Sequence, residues 1–313
     1  MKNLYSLFVI LIIFQQCSST RYTAKEAYQR LKNDNPKILN SENFGNIEYK
    51  IHRGKDDVPI LIIHGLVGGY DQGMQTGKAL LPEDHTYLSI SRFGYLASDL
   101  PDNPTPINQC KAFKKVLERN NIQNVFLLAT SAGGTIALKF ALLYPEEVAG
   151  IILVGSAYPS NNKIPKGPPG FVYRDGIFQF MINHMQGNLL KMFGISKEEY
   201  LKADSTERKQ LKIIFHNLLP INPRRPGILN DVKITNPDVN INYSDYPLEE
   251  IKSPFLILHA KNDPMAKYTI MKTAVKRLSH IETKIYEKGG HLLFGHREAN
   301  RKVIEKFINK YSR

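Results

Sequence analysis

The chain is poor in the features that mark several classes of protein. Only two of its 313 residues are cysteine, Cys17 and Cys110, too few for a disulfide framework. No Cys/His cluster has the spacing of a zinc site, so no metal is expected. The formal net charge is +13, but the lysines and arginines that produce it are scattered. There is no long basic run and no aromatic-basic motif of the RNA-binding type, and no nucleic-acid partner is expected. A solvated basic surface accounts for the charge, with some attraction to anionic membranes or envelope polymers. Internal repeats and low-complexity tracts are missing as well. What remains is the balance of a globular protein, 42% hydrophobic and 23% charged. Its length can bury one large core and still carry a sizeable insertion.

The N-terminal segment has its own chemistry. Lys2 precedes an almost wholly apolar run from Leu4 to Phe14, which is too short to span a bilayer comfortably. Gln15 to Thr20 is polar and small, as a cleavage region requires. Residues 1–19 therefore read as a signal peptide, and the protein as exported: periplasmic, envelope-attached or secreted. The pattern also admits a lipoprotein signal ending before Cys17, with membrane association through the N-terminal segment or a lipid on that cysteine. Gln15 and Gln16 stand where such a signal wants small residues, which disfavours it.

Beyond residue 20 the hydrophobic pattern alternates between strand and helix. Arg21 to Lys37 reads as a polar helix closed by Asn35-Pro36. Strands follow at Ile47 to His52, Ile60 to Ile63, Thr86 to Ser91 and Val148 to Val154, with an amphipathic helix at Asn108 to Arg119. Such alternation predicts an α/β fold with a mostly parallel sheet flanked by helices. It stops at Ala157, becomes proline-rich and then helical, and resumes with strands at Phe255 to His259 and Glu282 to Tyr286. Residues 20–156 and 251–313 are thus the core. Residues 157–250 are a largely helical cap, inserted before the penultimate strand and over the sheet edge where α/β proteins bind ligands.

The chain is organised around Val125 to Gly134. Val125-Phe126-Leu127-Leu128 is a continuous apolar run suited to a strand buried on both faces. It turns abruptly through Ala129-Thr130-Ser131-Ala132-Gly133 into a helical pattern. A serine at such an apex has its hydroxyl clear of the backbone and lies beside a helix N-terminus, where unpaired N–H groups can stabilise an oxyanion. The turn resembles the nucleophile elbow of the α/β-hydrolases, with Ala129 in place of the first glycine. Taken alone, Ser131 could equally be a helix N-cap.

Two stretches further along decide between those readings. Asp263 follows the strand Leu256-Ile257-Leu258, where a carboxylate can orient an imidazole and stabilise the imidazolium. It could also cap a helix beginning near Pro264. His291, in Gly289-Gly290-His291, follows the last strand in a loop from which it can reach a serine as general base and acid. His296 lies nearer a helix start and reads as a surface or capping residue.

Ser131, Asp263 and His291 stand in α/β-hydrolase chain order, each just after a strand. From Ile47 to the C-terminus the chain resembles the capped α/β-hydrolase superfamily. The resemblance includes Ser91-Arg92-Phe93-Gly94-Tyr95-Leu96, Ser131-Ala132-Gly133-Gly134 and Pro247-Leu248-Glu249-Glu250-Ile251. It implies a serine hydrolase that works through an acyl-enzyme without a cofactor. It also implies an oxyanion hole built from the backbone N–H groups of Leu66, in His64-Gly65-Leu66-Val67-Gly68-Gly69, and of Ala132. His64 braces that loop.

Arg92 and Tyr95 are candidate substrate contacts at the sheet edge, set against a structural arginine–carboxylate pair. Arg224 and Arg225 could meet an acidic substrate group or remain a solvated pair. Met181, Met185 and Met192, with Phe178, Phe180 and Phe193, suggest an apolar cap underside. The expected substrate is a small carboxylic ester or related acyl compound. The rivals are a carbon–carbon hydrolase or an iminopeptidase on the same fold, and a low-turnover receptor.

Overall fold

An eight-stranded sheet lies at the centre of the computed structural model, which describes residues 21–55, 58–160 and 168–312. The signal-peptide reading and Cys17 fall outside the described residues. In chain order the strands are β1 (Lys37–Ser41), β2 (Gly45–His52), β3 (Ile60–Ile63), β4 (Tyr87–Ile90), β5 (Val125–Thr130), β6 (Val148–Val154), β7 (Phe255–Ala260) and β8 (Ile281–Tyr286). Their order across the sheet is β1-β2-β4-β3-β5-β6-β7-β8. β2 runs antiparallel to both β1 and β4, and the remaining pairs are parallel.

β3 and β7 are buried along their whole length. They correspond to the continuous apolar runs in the sequence, as strands covered on both faces should. β1 was not anticipated. It is an edge strand, largely exposed, and its residues Lys-Ile-Leu-Asn-Ser carry no clear apolar alternation.

The chain steps from β3 to β4 on one side and returns to place β5 on the other side of β3. That reversal is the switch point where the loops leaving two adjacent parallel strands diverge and leave a crevice. The loops concerned are residues 64–69 after β3 and the turn at Ser131 after β5.

Helices cover both faces. The first, α1 (Ala24–Asp34), starts at a capping box formed by Thr23 and Glu26 and ends at left-handed Asn35, φ 49°. It straddles core and cap. Ala24 N donates to Gln179 Oε1 at 2.8 Å, while Arg30 reaches Asp71 of the core at 2.9 Å. α2 (Tyr70–Leu80) follows β3. α3 (Pro106–Arg119) begins on Thr105 as N-cap with Pro106 in its first turn, and buries Phe113, Val116 and Leu117. α4 (Gly133–Leu143) is apolar nearly all round and correspondingly buried.

The cap follows β6 as α5 (Asp175–His184), α6 (Gln186–Met192), α7 (Lys197–Lys202), α8 (Ser205–His216), α9 (Arg225–Asn230), a π-helical turn Asp231–Thr235 and α10 (Asn236–Ile241). It has a hydrophobic cluster of its own, with Phe178, Leu189, Phe193, Leu211 and Phe215 packed together with Ala27 of α1 and Tyr95 of the core. α11 (Tyr268–Val275) and α12 (Arg297–Tyr311) complete the core.

Candidate active site

Ser131 stands directly after β5 with φ 52°, left-handed backbone that a non-glycine residue rarely adopts. The turn is held in place by backbone bonds. Ser131 N donates to Val154 O at 3.2 Å, and Ser131 O accepts from Gly134 N at 3.1 Å and Ala157 N at 2.9 Å. Such strain persists only where the surroundings over-determine it, and it is characteristic of functional sites.

The steric demand of the turn falls on Gly133 rather than on residue 129. A Cβ on Gly133 would lie 2.4 Å from Ile63 O. Ala129 is still strand, paired with Ile63 and Leu153, and its methyl group sits in the main core cluster. Its substitution for glycine leaves the elbow intact.

His291 lies in a single 3₁₀ turn, Gly290–Leu292, flanked by Gly289 with φ 115° and Gly290 with φ 58°. Gly290 lies so close to the cap that a Cβ would come within 2.0 Å of Phe193 O. His291 N donates to that same Phe193 carbonyl at 2.8 Å. Asn262 braces the turn from the other side, accepting from Gly290 N at 2.9 Å and donating to Gly194 O at 3.0 Å.

These elements bring the three distant residues into line. His291 Nδ1 lies 2.9 Å from Asp263 Oδ2 and 3.1 Å from Oδ1, and its Nε2 lies 2.9 Å from Ser131 Oγ. An ionised carboxylate only accepts hydrogen bonds, so the proton belongs on Nδ1 and leaves Nε2 free to accept from the serine hydroxyl. Asp263 Oδ1 also accepts from Met265 N at 2.8 Å and Ala266 N at 2.9 Å. It therefore caps a turn, not a helix, since α11 starts only at Tyr268. Asp263 and His291 are buried, whereas Ser131 keeps partial access to a cavity. His296 is elsewhere, bonded to Lys288 O at 3.1 Å and stacked on Tyr286.

Leu66 lines the cavity with Ser131, and Ala132 follows Ser131 at the N-terminus of α4. His64 Nδ1 bonds to Gly65 O at 2.8 Å, and its Nε2 accepts from Arg92 N at 3.0 Å. Burial first, and then the charge of Arg92, push its pKa well below the ordinary value, so the ring is a neutral brace.

Arg92 and Tyr95 do not reach the substrate space, which corrects their reading as candidate substrate contacts. Both are fully buried and bound to Asp231. Arg92 makes two bonds of 2.6 Å to its carboxylate, and Tyr95 OH donates to Oδ2 at 2.5 Å. Arg224 is neither a substrate contact nor solvated. It is buried against Asp71, at 2.9 and 2.8 Å, and its Nε donates to Pro220 O at 2.9 Å.

A family model for the alpha/beta hydrolase fold matches residues 58–297. The chain belongs to the alpha/beta hydrolase fold family. A 2-hydroxy-6-oxononadienedioate/2-hydroxy-6-oxononatrienedioate hydrolase from Cupriavidus pinatubonensis is 22% identical over 276 residues, 84% of this chain and 92% of the relative. Among solved structures, an alpha/beta hydrolase fold protein from Nakamurella multipartita aligns with a TM-score of 0.73 at 19% identity, covering 89% of this chain and 99% of its own. An esterase from Exiguobacterium antarcticum aligns with a TM-score of 0.63 at 22% identity, covering 87% and 98%.

In this alpha/beta hydrolase the cavity beside Ser131 measures about 370 Å³. Val67, Phe178, Met181, Met192, Phe193 and Leu218 give it an apolar wall. Of the aromatic and sulfur side chains singled out in the cap, Met185 and Phe180 do not line it, and Phe180 is exposed. The charged side chains on the wall are Glu207 and Arg297, which face each other at 3.6 Å. Sequence reasoning missed Asp231, Asp71 and Asn262. Only Asn262 carried a local signal, as the neighbour of Asp263. Among the described residues no cluster of His, Cys, Asp and Glu could hold a metal ion.

Proposed function

We propose that this protein is an exported serine hydrolase that cleaves an uncharged carboxylic ester or related acyl bond through an acyl-enzyme. The observation that carries the reading is the line Asp263–His291–Ser131, with His291 within 2.9 Å of both partners, opening on an apolar cavity. Ser131 Oγ attacks the carbonyl carbon as His291 Nε2 takes its proton, and the N–H groups of Leu66 and Ala132 receive the oxyanion. Collapse of the tetrahedral adduct expels the alcohol, which leaves with the proton from His291. Water then attacks the acyl-enzyme with His291 again as base, and collapse of that adduct releases the acid as Ser131 Oγ leaves and takes the proton back from His291. Asp263 keeps the ring in its working tautomer and stabilises the imidazolium.

The relative from Cupriavidus pinatubonensis is named for a substrate with two carboxylates. This chain offers such a substrate little charge, because Arg92, Arg224 and Arg297 all face aspartate or glutamate. An uncharged ester therefore suits the site better than a dicarboxylate, a carbon–carbon substrate of that type included. Export rests on Lys2 and the apolar run Leu4 to Phe14, and attachment through a lipid on Cys17 would be its envelope-bound form.

The test is labelling by a fluorophosphonate of wild-type protein, Ser131→Ala and Asp263→Asn, followed by aryl esters of increasing acyl length and by 2-hydroxy-6-oxononadienedioate. Labelling lost in Ser131→Ala, with ester turnover tracking it, is expected. Preferred turnover of the dienedioate would transfer the reading to carbon–carbon cleavage. Folded wild-type protein that resists labelling and only binds ligands would be a receptor. Mass spectrometry of the protein from cell fractions would show whether residues 1–19 are removed.

A further inference from the structure

The glycine-rich loop after β3 is gripped by the buried arginines that the substrate space does not use. Gly65 O accepts from His64 Nδ1 at 2.8 Å, from Arg92 Nη2 at 3.1 Å and from Gly68 N at 3.3 Å. Gly68 O accepts from Arg224 Nη1 at 2.5 Å. Between them Val67 is held at φ 64°, a strained conformation for a β-branched residue. A trans peptide is planar, and its carbonyl and N–H point in opposite directions. The N–H that shares its plane with Gly65 O is that of Leu66. Each donor that fixes Gly65 O therefore fixes the opposite heading of the Leu66 N–H.

Arg92 is locked in turn by the cap, through Asp231 at 2.6 Å for each of two bonds. Arginine keeps its proton, so this contact can hold geometry but not shuttle charge. We propose that Arg92 is a positioning residue. Held by Asp231, it sets the Gly65–Leu66 peptide plane so that the Leu66 N–H is already aimed at the developing oxyanion, and it makes a docked cap the condition for a complete oxyanion site. The proposal rests on the serine-hydrolase reading above, and adds to it the cause of the loop's preorganisation.

The decisive variant is the pair Arg92→Met with Asp231→Leu, which removes both charges together and leaves no lone buried ion. Loss of one oxyanion donor typically costs about 10²–10³ in kcat, so a misaimed donor should cost about 10- to 100-fold with KM changed less than about threefold. As a control away from the loop, Lys202→Ala on the exposed face of α7 should keep kcat within about threefold of wild type. A merely structural Arg92 would lower Tm and leave kcat of the folded double variant unchanged, and that result overturns the proposal. A second measurement needs no variant: the crystal structure of wild-type protein phosphonylated on Ser131. The phosphoryl oxygen should lie about 2.7–3.1 Å from Leu66 N while Arg92 still holds Gly65 O. An oxygen beyond reach of Leu66 N, or a Gly65 carbonyl released by Arg92, overturns the proposal while leaving the hydrolase reading standing. Failure of folded wild-type protein to form the adduct overturns both.

Discussion

Two buried aspartates, Asp263 of the core and Asp231 of the cap, face different partners, and the difference separates proton transfer from the holding of geometry. Asp263 faces an imidazole whose second nitrogen reaches the Ser131 hydroxyl 2.9 Å away. Asp231 faces a guanidinium that cannot give up a proton, and whose further bond goes to the Gly65 carbonyl. One network ends at a nucleophile beside a cavity. The other closes on backbone and side chains in the protein interior. A buried carboxylate thus reveals its role through what its partner can release.

The largest test of this contrast is at the open end. Ser131→Ala should lower kcat by about 10⁴-fold or more, and Asp263→Asn by about 10³- to 10⁴-fold. Ester hydrolysis set beside thermal unfolding will show whether the fold survives; Asp263→Asn activity within about tenfold of wild type would erase the contrast. At the closed end a loss of stability is expected beside the smaller loss of kcat from a misaimed Leu66 N–H. Asp231→Ala strands Arg92 without a counter-charge, and urea unfolding should register a loss of about 3–5 kcal/mol. A loss of less than about 1 kcal/mol would mean that the interior pair is no stronger than one at the surface.

Glu48 sharpens the comparison as a buried carboxyl that faces hydrogen-bond donors rather than a cation. Its Oε2 accepts from Ser91 Oγ at 2.8 Å and Ala97 N at 3.3 Å. Burial outweighs those bonds and pushes its pKa up from an ordinary 4.5 to about 7. A pKa raised on folding contributes stability that is full below about pH 4.5 and is lost as pH rises through about 7. Glu48→Gln should remove that slope. The stability of the variant relative to wild type should therefore climb between those pH values and then level off, by about 3 kcal/mol at most. A flat difference across the window would show that the carboxyl is solvated. The smallest effect belongs to the exposed pair Lys202–Glu198, 2.6 Å apart within α7. Lys202→Ala should leave the urea unfolding midpoint where it is in wild type, and a clear shift would blur the line between surface and interior pairs.

What the sequence disclosed follows the range over which its signals act. Strands buried on both faces appear as unbroken apolar runs, so β3, β5, β6 and β7 and the residues that follow them were legible. Ser131 and Asp263 each sit just past such a run, and His291 follows the more exposed last strand, β8. The cap was legible as an interruption of the pattern, but not in its docking. Arg92 and Asp231 are 139 positions apart, and no periodicity links them, so Arg92 and Tyr95 looked available for substrate. A separation of 153 positions likewise hid the partnership of Arg224 with Asp71. β1 stayed invisible for the opposite reason. An exposed edge strand is defined by pairing with β2, not by burying a face of its own.

The exchange of arginine and aspartate across the cap boundary bears on how such a protein can change its diet. The core offers Arg92 and Asp71, and the cap answers with Asp231 and Arg224. A foreign cap without that reply would leave Arg92 an orphan cation in a dry interior and Asp71 to the half-buried Arg30. Exchanging the cap whole should therefore cost stability, whereas the cavity residues Phe178, Met181 and Met192 lie outside both pairs and are open to change one at a time.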